Sequence, residues 1–181
     1  MLIPLAIGLL GPDGAELPTR LEEESESQDG TRIITLAEAR ERFRFVDVPA
    51  PPVPSLLRGF SAPVKLKDVP LERLKFLAIN DPEPFARWEA GQQVATRVML
   101  DGIEACRSGA TQAPLDRDLV TALRRTLADA DRDPAFAAEA LTLPSEAFLA
   151  DQLVVVDVDA IHAARESTRV ELSRALSMEF A

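Results

Sequence analysis

Apolar and polar positions alternate with two different periods along this chain, and the change of period divides it. Ile3 to Leu10 is an apolar run that stops at Gly11, Pro12, Asp13 and Gly14. Glycine supplies positive φ there and proline fixes φ, so the cluster predicts a hairpin. Thr31 to Leu36 is rich in β-branched residues, and Arg42 to Val48 alternates Phe43 and Phe45 with Arg42 and Arg44, the period-2 pattern of a half-buried strand. Pro49, Pro51, Pro52 and Pro54 then predict an extended connection poor in hydrogen bonds. It leads to a further strand expected within Leu56 to Leu66, with Phe60 and Val64 on one side.

Past Val69 the period lengthens to about 3.6. Pro70 opens a helix carrying Leu71, Leu74 and Leu77, which Asn80 and Asp81 end before capping the next one. That next helix, from Pro82 to Arg107, shows a stripe of Phe85, Trp88, Gln92, Ala95, Met99 and Ile103. Ser108 to Ala113 reads as a polar break. A third helix follows with Leu115, Leu119, Leu123 and Leu127 on one side, a fourth starts at Asp133 and Pro134, and a fifth at Pro144, Ser145 and Glu146. Asp157 or Asp159 caps the last, which is expected to continue to the final residue because Ala175 to Ala181 holds no stop signal. The strands are too few to close a sandwich, so the pattern predicts an α+β chain cut within both its sheet and its last helix.

Charge and composition narrow the function classes. The 181 residues carry 20 Lys and Arg against 30 Asp and Glu, a net charge of -10, and a pI near 4.7. Nucleic-acid binding draws on clustered cations, so no nucleic-acid partner is expected. The apolar run Ile3 to Leu10 is far below the roughly 20 residues that span a bilayer, so no membrane partner is expected either. A single cysteine, Cys106, excludes an internal disulfide and agrees with a reducing, cytoplasmic setting. The acidic run from Glu22 to Asp29 reads as a solvated loop, since it lacks the ligand spacing of a calcium loop.

Chemistry is sparse. A nucleophilic triad would have to use the lone histidine, His162, oriented by Asp157, Asp159 or Glu166, but its helical neighbours Ala163 and Arg165 mark it as a surface residue. Cys106 reads as a small core or rim residue. Zinc hydrolysis on a helix needs His-Glu-x-x-His, for which this chain lacks the second histidine, and no glycine-rich loop opens a helix to cradle phosphate.

Two stretches give a sharper reading. Leu57 to Leu66, Leu-Arg-Gly-Phe-Ser-Ala-Pro-Val-Lys-Leu, and Asn80 to Gln92, Asn-Asp-Pro-Glu-Pro-Phe-Ala-Arg-Trp-Glu-Ala-Gly-Gln, resemble segments of the bacterial aminopeptidase N family of gluzincin-type zinc metallopeptidases. Ile3 to Leu10 and Asp133 to Ser145 add weaker matches in the same order. The resemblance implies a partial Ig-like antiparallel β-sandwich over residues 1–66, followed by the first helices of an ARM-like superhelical region over 67–181. It also implies a zinc-dependent parent enzyme that removes N-terminal amino acids from peptides. The family's His-Glu-x-x-His, its glutamate ligand, its Gly-Ala-Met-Glu-Asn motif and its tyrosine have no counterpart here, and the chain contains no Tyr. Catalytic, cofactor-binding and metal residues are therefore assigned to none of these positions; zinc belongs to the parent.

The expected partners follow from that resemblance: the catalytic domain of the same polypeptide, the parent's peptide substrates, and a second copy of the fragment through an exposed strand edge at Ile3 to Leu10 or Thr31 to Leu36. Trp88 is expected to anchor the junction between sandwich and helices, with Arg87, Glu89 and Gln92 hydrogen-bonding across it. The proline-rich connection Pro49 to Pro54 is a candidate hinge. The rival readings are a free-standing protein-interaction module without enzymatic activity and a hydrolase built on His162.

Overall fold

The computed structural model describes residues 2–111 and 114–180. Two compact units divide the chain, Met1–Trp88 and Glu89–Ala181.

In the first unit the central strand is β1, Ile3–Leu10. It pairs antiparallel with β2 (Glu16–Leu17), β4 (Arg32–Leu36) and β6 (Val53–Leu56), while β3 (Arg20–Leu21) pairs with β5 (Phe45–Val46) in a separate ribbon. The hairpin expected after Leu10 forms, with Leu9 opposite Leu17 and the turn using Gly14 at φ 82°. One face of β1 carries Leu5, Ile7 and Leu9, which pack with Ile34, Leu17 and Leu56 and with Leu21, Phe43, Phe45 and Val48 from the second layer. Ala6, Gly8 and Leu10 on the opposite face are buried as well. Burial on both faces explains why this strand is an unbroken apolar run instead of an alternating one.

Three sequence expectations need correction here. Of Arg42 to Val48, only Phe45–Val46 is a strand, because Asp47 adopts φ 54° and turns the chain, its carboxylate held by Arg20. The strand expected within Leu56 to Leu66 lies earlier, at Val53–Leu56, inside the proline-rich connection. Pro54 sits opposite Leu9, and β6 pairs with β1 alone among the described strands, so one of its edges needs no N–H donor. Beyond it, Leu57 (φ 59°), Gly59 (φ 59°) and Phe60 (φ 53°) are left-handed, which ends any extended run and leaves Phe60 exposed in a short 3-10 turn, Arg58–Phe60. This unit closes with helix α1, Leu71–Asn80, and the first turn of α2, Pro84–Ser108.

In the second unit the remainder of α2 is followed by α3 (Arg117–Ala128), α4 (Pro134–Leu141), α5 (Glu146–Ala150) and α6 (Val158–Ala175). Asp116, Asp133, Ser145 and Asp157 each accept backbone N–H bonds at the start of the helix that follows, with Asp157 rather than Asp159 capping α6. Val94, Met99, Ile103, Leu119, Leu149, Thr168 and Leu176 are among its fully buried side chains. Part of the polar break predicted over Ser108 to Ala113 is seen, with Ser108 ending α2 and Gly109 at φ 67°; Gln112 and Ala113 lie outside the described residues. The last helix stops at Ala175 instead of running on. Arg124 donates to the Ala175 carbonyl and pairs with Glu179, so a tertiary partner takes over where no local stop signal exists.

Candidate functional site

The densest polar constellation surrounds Arg58, whose side chain is 1% exposed. The left-handed turn at Leu57 redirects the chain leaving β6 so that Arg58 enters under β1. It fits there because residue 8 is glycine: a Cβ at that position would fall inside the guanidinium. Its Nε donates to Ser55 Oγ at 2.9 Å, Nη1 to Thr31 Oγ1 at 3.1 Å and to Glu16, and Nη2 to Asp81 Oδ1 at 3.0 Å. One guanidinium thus joins β6, the β2 hairpin, the segment before β4 and the turn after α1.

Asp81 carries the connection onward. Its side chain is fully buried, and Oδ1 also accepts the Glu83 N–H at 3.0 Å. Burial pushes its carboxyl above the ordinary range, while the Ser55 hydroxyl, the Glu83 N–H and the Arg58 charge oppose that shift. Glu83 accepts from Gly59 N at 3.3 Å, Phe85 N at 3.2 Å and Ala86 N at 2.7 Å. Glu83 therefore caps α2, where the sequence pattern assigned that role to Asn80 and Asp81. Phe60, Phe85 and Trp88 pack in succession with their rings tilted by 59° and 43°, the centroids 5.5 Å and 5.7 Å apart. The Trp88 indole nitrogen is shielded from solvent and has no hydrogen-bond partner among the described residues. Of the other junction candidates, Arg87 donates to the Asp81 carbonyl at 3.4 Å, but Glu89 accepts from Gln93 and Gln92 reaches Thr142 within the helical unit.

A second buried arginine, Arg32, donates to Thr19 Oγ1 at 3.1 Å, the Thr19 carbonyl at 2.9 Å and Glu24 Oε1 at 2.6 Å. The acidic run is consequently anchored and not merely solvated. The Leu21 N–H first, then Arg32, holds the Glu24 carboxyl below its ordinary range, and Arg44 takes Glu22 at 2.9 Å.

Both arginines are buried and paired with carboxylates, and Arg32 also lines an open surface concavity with Glu23, Glu24, Ser25, Glu26, Ser27 and Gln28. His162 is exposed and meets Glu146 at 2.9 Å, in place of the Asp157, Asp159 or Glu166 partners weighed from sequence. Asp157 caps α6 and Glu166 is engaged by Arg169, and among the described residues no hydroxyl or thiol bonds to the imidazole. Cys106 is exposed near the end of α2, not a core residue. Among the described residues no three His, Cys, Asp or Glu side chains converge on a common metal position.

Comparisons with known proteins also divide the chain in two, at a different point. Residues 1–69 match a family profile described as a domain of unknown function, DUF3458, with an Ig-like fold. Residues 71–181 match DUF3458_C, a domain of unknown function described as ARM repeats. The chain is 38% identical over 170 residues to aminopeptidase N of Caulobacter vibrioides, covering 93% of this chain and 18% of that protein. It is 34% identical over 181 residues to aminopeptidase N of Escherichia coli, covering 99% of this chain and 20% of that one. A crystal structure of Legionella pneumophila aminopeptidase A in complex with aspartic acid superposes with a TM-score of 0.75 at 26% identity, over 99% of this chain and 19% of that one. The chain thus spans about a fifth of the length of the proteins it matches. An antiparallel Ig-like domain followed by ARM-repeat helices, matched over 93% and 99% of this chain in two aminopeptidase N sequences, places this chain in the aminopeptidase N family as its DUF3458 region.

Proposed function

We propose that residues 1–181 are a non-catalytic frame of a zinc-dependent aminopeptidase that removes N-terminal amino acids from peptides. The observation that carries this reading is the pattern of similarity: 93% to 99% of this chain matches only 18% to 20% of aminopeptidase N proteins. Zinc does not fit the residues present, because the chain has one histidine and the described residues offer no convergent set of ligands. The metal and the peptide-cleaving chemistry are assigned to polypeptide outside this region. The role of this region is to position the ARM-repeat helices as a cap over that active site. Support for a mechanical role comes from the Arg58, Asp81 and Glu83 chain, which ties the strands to α1 and the start of α2.

The test compares hydrolysis of amino-acid 4-nitroanilides by residues 1–181 and by the whole polypeptide translated from the gene, each with zinc supplied. Turnover by the longer polypeptide alone is expected. Hydrolysis by residues 1–181, or its absence from the longer polypeptide, would overturn the reading.

A further inference from the structure

The loop between α5 and α6 exposes an unusual amount of apolar surface. Val154 is fully exposed, and Val155, Val156 and Val158 are 52% to 68% exposed, four valines in five positions. Phe148, on α5 just before the loop, is also exposed. Isolated exposed valines are ordinary, whereas a run of this density marks a surface that another surface covers. The backbone supports the same reading. The Leu153 N–H bonds to the Ala150 carbonyl and the Asp157 carbonyl accepts from Ile161, but between them Val154, Val155 and Val156 have no backbone partner among the described residues. Three consecutive β-branched residues with free N–H and C=O groups form a segment suited to pairing with, or packing under, another extended stretch. The rim is acidic, with Asp151 and Asp159 exposed on either side and Glu146 nearby on α5.

We infer that Leu153–Val158 is an intramolecular docking segment, covered by an apolar surface with basic edges on the part of the aminopeptidase polypeptide outside this region. The occupant follows from length: in the relatives, about four fifths of the polypeptide surrounds the stretch that matches this chain. The inference rests on the proposed function and identifies where the frame meets the rest of the enzyme.

Hydrogen–deuterium exchange tests it, comparing residues 1–181 with the whole polypeptide translated from the gene. In residues 1–181 the Val154, Val155 and Val156 amides exchange at unprotected rates; in the whole polypeptide they are slowed ~100-fold or more. In parallel, the double variant V154D/V156D leaves the melting temperature of residues 1–181 unchanged and lowers that of the whole polypeptide. Equally fast exchange in a long polypeptide that hydrolyses amino-acid 4-nitroanilides overturns the docking inference alone. Protection without hydrolysis overturns the proposed function alone. Protection that already appears in residues 1–181 and grows with concentration assigns the segment to a second copy of the chain, and overturns the inference. A gene encoding these 181 residues only overturns both.

Discussion

Replacing Arg58 with Met isolates the interaction on which the first unit depends. Arg58→Met keeps the stem volume and removes the charge, leaving Asp81 buried with no cation. The two side chains are 1% and 0% exposed, so water cannot substitute for either. Breaking such a pair by removing one member costs ~3–5 kcal/mol. Glu16, at 38% exposure, rehydrates and adds little. At ~4 °C per kcal/mol, the lower bound for a unit of this size, the melting temperature falls by ~12 °C or more. The single tryptophan, Trp88, lies in the same unit and reports its unfolding by fluorescence. The double variant Arg58→Met with Asp81→Leu removes the stranded carboxylate and regains ~2 kcal/mol or more, as expected where an apolar pair replaces a buried ionic one. Acidity has a defined sign. The folded state already raises the Asp81 pKa above its ordinary 3.8, and losing Arg58 raises it further. An acid raised in the folded state contributes stability that is complete below the unfolded pKa and lost as pH rises through the folded one. The Arg58→Met penalty is therefore small near pH 4 and grows toward neutrality. A single variant within 1 kcal/mol of wild type at pH 7, or a penalty that does not change with pH, would refute the argument.

Two further outcomes are expected. Gly8→Ala drives a methyl into the Arg58 guanidinium, and four partners prevent that group from stepping aside, so urea denaturation should show a loss of ~1–3 kcal/mol. Glu24 has the opposite sign to Asp81: its lowered pKa contributes stability above 4.5 that disappears as pH falls through the depressed value, so Glu24→Gln should flatten the acid side of a stability profile followed by circular dichroism.

Local chemistry was legible in the sequence wherever it acted through near neighbours. Pro12, Asp13 and Gly14 announced the hairpin, and Asp133, Ser145 and Asp157 announced three helix starts, because a turn or a cap needs only three or four adjacent residues. The misread segments depended on distant partners. Nothing next to Leu57 or Phe60 calls for positive φ; the conformation is imposed by the seating of Arg58 among residues 16, 31, 55 and 81. Pro54 argued against a strand until β1 supplied its partner, and α6 ends where Arg124, remote in sequence, reaches the Ala175 carbonyl. Arg58 itself had one sequence signal, Gly8 in the middle of an apolar strand, where a missing side chain marks the close approach of another group.

The same long-range network accounts for a discrepancy between two ways of dividing the chain. The family profiles meet between residues 69 and 71, whereas compactness groups Met1–Trp88 together. A division at 70 would separate Arg58 from Asp81, its fully buried counter-charge, and Gly59 from Glu83. It would also part Phe60 from Phe85 and Gly14 from Asn80, whose side chain leaves no room for a Cβ at residue 14. Sequence similarity records which segments recur together, while compactness records which segments exclude water together. Helix α1 and the first turn of α2 have the 3.6-residue period of the helical region, yet the charge they bury belongs to the strands. Within the first unit the Arg58, Asp81 and Glu83 chain therefore ties the strands to α1 and the first turn of α2, and the last prolyl residue of the proline-rich connection is itself part of the sheet.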